Sequence, residues 1–399
     1  MRKILILPSW YPSFENSVSG IFFYNQIRLF INNYDVRILF GVPKVNSKRF
    51  KKLLNTIIFI LFGEVFIRVK HNFFHTPPYI FGFEYEMGLN KLKRQNYKLR
   101  KKAYLKFFKN EVIINWQPDL IHSFNFNIGG IIAKELFEEY GFPYINTEHH
   151  PFNFKLPPYF YKDLKQALKH SKYNFFVSQW QYRTFLLFDK SIEGEILGNP
   201  VDGHFFKLRV RNNKETFKII HISNGDIPKD LKTLFKTIEY IYSTLNSNTG
   251  IEITILGFSG TLENLLRTEY GQLSWYKMIR FLRPGSRDIV RRELQRSDVF
   301  IFTSVSESFG IAPLEALMCG VPVVATDNGA IHEYLKDGVN GILCRMKDYK
   351  ALAEAVLKIY KGEVVYSPEK VRQTVFPQFH IDNYRTTISG VYDSVININ

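Results

Sequence analysis

Two glutamates, Glu307 and Glu315, stand eight positions apart in SVSESFGIAPLEALMCGVPVVATDNGAIHEYL, Ser304–Leu335, with Gly310 between them. The apolar run SDVFIFTS before them reads as a strand. The chain then turns through VSESFG and enters a helix at Ile311, with Pro313 in a first turn where its missing N–H costs little. Gly320 suits the helix end, Pro322 cannot continue it, and VPVVAT reads as the next strand. A helix N-terminus offers free N–H groups and partial positive charge, which suits a phosphate, and Gly310 lets the backbone come close to it. A carboxylate beside a phosphate is repelled, so Glu307 and Glu315 should face hydrogen-bond donors. Sugar hydroxyls fit, because one carboxylate accepts from two vicinal hydroxyls. The chemistry spelled out is that of a nucleotide sugar: ribose diol, diphosphate, hexose. Taken singly, Glu315 also reads as a glutamate favouring a helix N-terminal turn, and Glu307 as a solvated loop residue.

Elements that could position such a site recur along the chain. KILILPS, YDVRILFGVP, PDLIHSF, FPYINTEHH, YNFFVSQ and GEILGNP read as strands separated by helical segments. The alternation restarts at Phe217 with FKIIHIS, IEITILG, IRFLRPG, DVFIFTS and PVVATD. Strands spaced by helices mean βαβ units and parallel sheets. The 399 residues are too many for one core and suit two domains. The expected organisation is a first doubly wound domain over residues 1–205, a second over 206–378, and a last helix over 379–399 packing back on the first. Ligands are expected at the carboxyl ends of the strands. Residues 44–110 fit the alternation worst and read as an elaboration of the first domain. Within them, SKRFKKLLNTIIFILFGEVFIRVK reads either as an amphipathic interfacial helix with a basic flank or as a core helix with a charged start.

Composition narrows the setting. Cys319 and Cys344 form no disulfide framework and point to a reduced, intracellular chain. MRKILILPSW breaks at Pro8 and does not have the form of a secretory signal. The longest apolar run, LLNTIIFILF, is well short of the ~18–20 residues that span a bilayer. Net charge is +16, of which +13 falls in residues 1–200. It is densest over Asn90–Asn110, with nine basic residues and no acidic one. Such a stretch meets an anionic membrane or nucleic acid, or forms a solvated helix face.

The block ESFGIAPLEALMCGVPVVA, continuing through NGAIHEYLKDGVNGILC, closely resembles the retaining glycosyltransferases of family 4. These have the GT-B fold, two Rossmann-like parallel-sheet α/β domains facing across a cleft. Weaker matches run through SWYPSFENSVSGIFFYNQ, DLIHSF, YINTEHH, FFVSQ and LGNPVDGHFF, so only about residues 44–110 lie outside the resemblance. It implies that Glu315 holds the donor ribose and that Glu307 contacts the transferred sugar near the reaction centre. It further implies that backbone N–H groups at the Phe309-Gly310 turn, those of Gly310 and Ile311, bind the diphosphate. Lys229 in HISNGDIPKDLKTL clamps that diphosphate, while the usual arginine five positions earlier is Asn224 here, with Arg283 or Arg287 as stand-ins. In the first domain Gly20 lies near the donor phosphates. His149 of NTEHH sits by the transferred sugar, with His150 as a competitor, and Ser178 is a further polar contact.

The implied reaction is transfer with retention, using a nucleotide-diphosphate sugar and no other cofactor. No metal is required, and no histidine or carboxylate cluster at metal spacing is visible. A basic, aromatic acceptor domain suits a glycan or polyprenyl-diphosphate-linked acceptor at an anionic membrane. The expected setting is therefore the inner face of the cytoplasmic membrane, in capsule or O-antigen type polysaccharide assembly. The competing readings are an epimerase or phosphorylase of the same fold, an inactive sugar-nucleotide binder, and a nucleic-acid-binding protein. The last lacks any recognised nucleic-acid module.

Overall fold

The computed structural model describes residues 1–12, 20–44, 48–71, 78–152, 155–209, 216–245 and 250–397. Residues 13–19 of the motif Ser9–Gln26 and 210–215 of the polar seam Gly198–Phe217 lie outside them. The chain forms two compact units. One comprises Met1–Val177, Tyr182–Leu197 and Arg385–Asn399, the other Ser178–Gln181 and Gly198–Tyr384. The division thus falls at Gly198 rather than residue 206, and the chain rejoins the first unit within its last helix.

The first domain is built on β1 (Lys3–Pro8), β2 (Asp35–Lys44), β3 (Ile67–Val69), β4 (Tyr79–Glu86), β5 (Leu120–Phe124), β6 (Tyr144–Glu148), β7 (Asn174–Phe176) and β8 (Glu195–Ile196). Its helices are α1 (Ile21–Ile27), α2 (Arg49–Phe62), α3 (Lys93–Phe107), α4 (Ile131–Tyr140), α5 (Pro158–His170) and α6 (Gln179–Phe188). The strand order is β3-β4-β2-β1-β5-β6-β7-β8. All pairings are parallel except the short β3, which runs antiparallel to β4 at the edge. Ile4–Leu7 of β1 are buried throughout, as a strand covered on both faces requires.

The stretch 44–110 is partly a regular piece of the fold. It supplies β4, the third strand of the first half-sheet, which the aromatic sequence YIFGFEYE had hidden. Its helix α2 is not a core helix, because only Asn55 and Thr56 of it are buried. No helix among the described residues is long and apolar enough to cross a membrane.

The second domain contains β9 (Phe217–Ile222), β10 (Ile251–Leu256), β11 (Ile279–Leu282), β12 (Val299–Phe302), β13 (Val323–Thr326) and β14 (Gly341–Cys344). Its helices are α7 (Leu231–Thr244), α8 (Gly260–Tyr270), α9 (Arg287–Arg296), α10 (Ile311–Met318), α11 (Tyr349–Tyr360), α12 (Pro368–Gln373) and α13 (Phe376–Phe379). The order β11-β10-β9-β12-β13-β14 is fully parallel. Winding outward from β9 in both directions, it has the doubly wound order with its switch point between β9 and β12. In the first sheet the corresponding switch lies between β1 and β5.

The last helix, α14 (Ile381–Asn397), returns to the first domain from Arg385 onward. Its buried Tyr392 hydroxyl lies 2.7 Å from Nδ1 of His122 in β5, whose Nε2 lies 2.8 Å from the Thr147 hydroxyl. Burial lowers the pKa of His122, so the ring is neutral. The Tyr392 ring also packs on Phe30 and Tyr34 at 5.4 Å centroid distances. Tyr392→Phe should therefore cost about 1 kcal/mol by loss of one buried hydrogen bond. Tyr392→Ala should cost roughly 3–5 kcal/mol through the cavity left behind, both read from denaturant unfolding followed in the first domain.

Candidate active site

In the second domain the loops after β9 and β12 meet at the switch point. Val305 N–H donates to Pro228 O at 2.8 Å, and the Thr303 hydroxyl donates to Lys229 O at 2.7 Å. This stitching brings Lys229 Nζ to 2.5 Å from Glu307 Oε1, with both side chains mostly shielded from solvent. Two residues 78 positions apart in sequence thus form one charge pair, side by side at the end of the sheet.

The next turn is shaped by Gly310, at φ 87°, which caps α10 without any side-chain partner for the free N–H groups. A Cβ there would stand 2.8 Å from the Tyr334 hydroxyl. That hydroxyl donates to the carbonyls of Gly310, at 2.6 Å, and Phe309, at 3.0 Å. The Phe309 ring is buried against Tyr334 and Phe379. The peptides entering α10 are therefore held from behind, and the N–H of Ile311 begins the helix. Ser178 adds a further tie, donating to Ser308 O at 2.7 Å and accepting from Gln181 N–H at 3.0 Å.

Glu315 lies on α10 with 6% of its surface exposed. Burial raises its pKa, and Arg287 at the start of α9 opposes that shift through a 2.8 Å contact to Oε1. The guanidinium also lies over the Phe206 ring, 5.0 Å from its centre. Arg287 is thus engaged by Glu315 through one guanidinium nitrogen. Arg283, the other stand-in, is exposed and lies against Gly260 at the start of α8. Asn224 is exposed and folded onto its own turn, its amide donating to Asp226 at 2.5 Å and its carbonyl accepting from Asp226 N–H at 3.2 Å.

The first domain gathers its own cluster at the carboxyl ends of β1, β5 and β6. Gly20, at φ 76°, caps α1, and a Cβ there would lie 3.0 Å from Trp10 O. Phe22 and Phe23 of the same helix pack on the His149 ring, with centroids at 5.5 and 4.9 Å. His149 is buried, and its N–H is shared between Asn125 Oδ1 and Glu148 Oε1, each at 2.9 Å. His150 packs instead against Trp10, with its pKa lowered by burial.

Sequence reasoning missed Glu148, the middle residue of NTEHH. Its carboxylate is buried and accepts three backbone N–H groups, from Phe126 and His149 at 2.9 Å and His150 at 2.7 Å. It therefore fixes the turn that presents His149. An acidic residue ending a buried strand, two positions after Asn146, was the available signal. Asn125, at φ 92°, was also missed and holds the other side of that turn. The fold also assembles His204, His380 and Asp382, whose ligand atoms lie within 4.8 Å of one another, a grouping that linear spacing does not reveal.

Residues 205–374 match the model of the family described as glycosyl transferases group 1. The match covers fewer than half of the chain's residues. The matched stretch begins just past the chain division at Gly198 and contains Lys229, Glu307, Gly310 and Glu315. N-acetyl-alpha-D-glucosaminyl L-malate synthase of Bacillus anthracis is 33% identical over 119 residues, 29% of this chain and 31% of the relative. The amylovoran biosynthesis glycosyltransferase AmsK of Erwinia amylovora is 28% identical over 123 residues, 29% of this chain and 30% of the relative. The chain therefore spans about a third of the length of these curated relatives. Over the whole chain the fold is that of GT-B proteins. The structure of HepE from Anabaena in complex with UDP-glucose superposes with a TM-score of 0.67 at 16% identity, covering 99% of this chain and 100% of that one.

Burial pushes Glu148 from its ordinary value of 4.5 up to about 7, against the pull of its three N–H donors. The folded state thus favours the protonated acid. Its stabilising contribution is complete below pH 4.5 and is lost as pH rises through about 7. Measured against Glu148→Gln across that window, the melting temperature of the wild type should decline with rising pH. Parallel curves would show that Glu148 is ionised throughout.

Proposed function

We propose that the protein is a retaining glycosyltransferase that moves a sugar from a nucleotide-diphosphate sugar to a glycan or lipid-linked acceptor in surface polysaccharide assembly. The observation that carries this reading is the Lys229–Glu307 contact at the switch point, beside the uncapped N-terminus of α10. A cation, free backbone N–H groups and a carboxylate are thus gathered where a doubly wound sheet binds its ligand.

In this reading the diphosphate lies on the N–H groups after Gly310, with Lys229 as its side-chain cation. Negative charge builds on the diphosphate as the glycosidic bond breaks, and fixed N–H dipoles with an ammonium stabilise it without reorganising. Lys229 also neutralises Glu307, which allows a carboxylate to stand near the leaving group and accept hydrogen bonds from the transferred sugar. Arg287 occupies Oε1 of Glu315, so Oε2 serves the ribose hydroxyls. With Asn224 turned onto Asp226, a single point charge does the work usually shared with an arginine fork. In the first domain, Glu148 and Asn125 hold the turn that presents His149, and Gly20 lets the backbone turn closely into α1. Retention follows if the departing diphosphate takes the acceptor proton on the face it leaves. No step requires a metal.

Support for the donor class comes from the UDP-glucose complex of HepE, and for a polysaccharide product from the amylovoran enzyme. The basic first domain supports an acceptor presented at an anionic membrane on the cytoplasmic side.

The test is a thermal-shift panel with UDP-, GDP-, ADP- and dTDP-sugars. One nucleotide should raise the melting temperature, and Glu315→Ala should abolish the shift. Lys229→Ala should lower turnover about 10²–10³-fold. NMR of the product should show the donor's anomeric configuration. No shift with any nucleotide, or an inverted product, would overturn the reading.

A further inference from the structure

Helix α2 is oriented against the usual rule for an amphipathic helix on a globular domain. Its apolar residues Phe50, Leu53, Leu54, Ile57, Ile58 and Leu61 recur at the spacing of one helical face. All but the half-buried Ile58 are exposed, from 42% at Leu53 to 76% at Phe50, and Phe62 at the helix end is 72% exposed. The opposite face carries the polar anchors. Thr56 Oγ1 accepts from Leu89 N–H at 2.9 Å and donates to Lys52 O at 2.8 Å. A Cβ on Gly88 would strike that hydroxyl at 2.6 Å, so the loop is closely fitted to it. The partly buried Phe59 packs on the first-domain core. The helix is therefore locked with its greasy side outward.

Cations surround that side. Lys48, Arg49 and Lys51 are exposed at its N-terminal end, with Lys51 paired to Glu86. At its C-terminal end a groove of about 560 Å³ is lined by Lys98, Lys101, Lys102, Lys106 and Lys109, together with Leu105. Two carboxylates, Glu64 and Glu139, also line it. Lys106 is paired with Glu64, and Lys101 with Glu135 and Asp163. Lys98, Lys102 and Lys109 make no ion pair among the described residues. The groove adjoins α2 directly, since a Cβ on its C-cap Gly63 would lie 3.2 Å from Lys102 Nζ.

We propose that this face docks on an anionic phospholipid bilayer, with the Phe50–Phe62 stripe seated at the acyl boundary and the Lys98, Lys102 and Lys109 groove taking headgroup phosphates. Charge decides for a bilayer over a second copy of the chain. A second copy laid on this face would add its own lysine excess to the same interface, whereas an anionic leaflet complements that excess. At 14 residues the helix is too short to span a bilayer and suits one lying in the interface. This deepens the membrane-facing part of the function proposed above and is independent of the donor chemistry.

The experiment is co-sedimentation of the full chain with phosphatidylcholine vesicles, with and without phosphatidylglycerol. The wild type should bind only the anionic vesicles. Leu54→Gln/Ile57→Gln/Leu61→Gln and, separately, Lys98→Glu/Lys102→Glu/Lys109→Glu should each weaken binding by about tenfold or more. Both sets replace mostly exposed residues, and an unchanged melting temperature and nucleotide-sugar shift would show that fold and donor site are intact. In a Leu61→Trp variant the emission should move to the blue on binding. No binding to anionic vesicles overturns the proposal, as does binding that the glutamine variant leaves unchanged. It is equally overturned by a wild-type dimer that the glutamine substitutions convert to monomer. Loss of the nucleotide shift with vesicle binding intact would instead count against the glycosyltransferase reading alone.

Discussion

A parallel sheet can be wound outward from a central strand in two directions, and the loops on either side of the change then flank one crevice at the carboxyl ends. Everything of chemical interest in this chain depends on that constraint. In the second domain the change falls between β9 and β12. The loop after β9 carries Lys229 and the loop after β12 carries Glu307, so topology alone makes them neighbours. The backbone bond from Val305 to Pro228 then locks the two loops in register. In the first domain the same change, between β1 and β5, sets Gly20 and the Glu148–His149 turn at one end of the sheet.

Carboxyl groups crowd these ends, and each has a different partner. Glu307 has an ammonium, Glu315 a guanidinium, and Glu148 three backbone N–H groups. The differences match the positions. Lys229 reaches across from another loop on a flexible stem and can turn toward an incoming anion. Arg287 is stacked over Phe206 and holds its partner in one orientation. The N–H groups around Glu148 belong to the turn itself, so that carboxyl is inseparable from the backbone geometry that presents His149.

Helix α2 obeys another balance. A helix that buries Asn55 and Thr56 while leaving Leu54, Ile57 and Leu61 in the open forgoes most of its hydrophobic stabilisation within the domain. Its polar anchors on the loop Met87–Leu89 hold it in that rotation. An exposed apolar stripe of this extent is the ground for the docking surface proposed above.

The sequence by itself determined the two-domain α/β architecture, the group 1 block and the strand-loop-helix unit around Gly310. Hydrophobic period, positive-φ glycine and helix punctuation are local properties of the chain. It also marked Glu307, Glu315, Lys229 and His149 as residues to watch. Tertiary structure decided what each of them touches. That Lys229 meets Glu307, that Arg287 belongs to Glu315, and that Glu148 anchors the His149 turn all depend on strand order, which residue spacing does not encode. The aromatic YIFGFEYE concealed the third strand of the first half-sheet because its alternation carries glycine and charge, and only pairing with β2 reveals it. Whether α2 faced inward or outward was likewise undecidable from its period, since the same apolar stripe serves a core or an interface. The rotation was settled by two buried polar side chains and the backbone groups they meet.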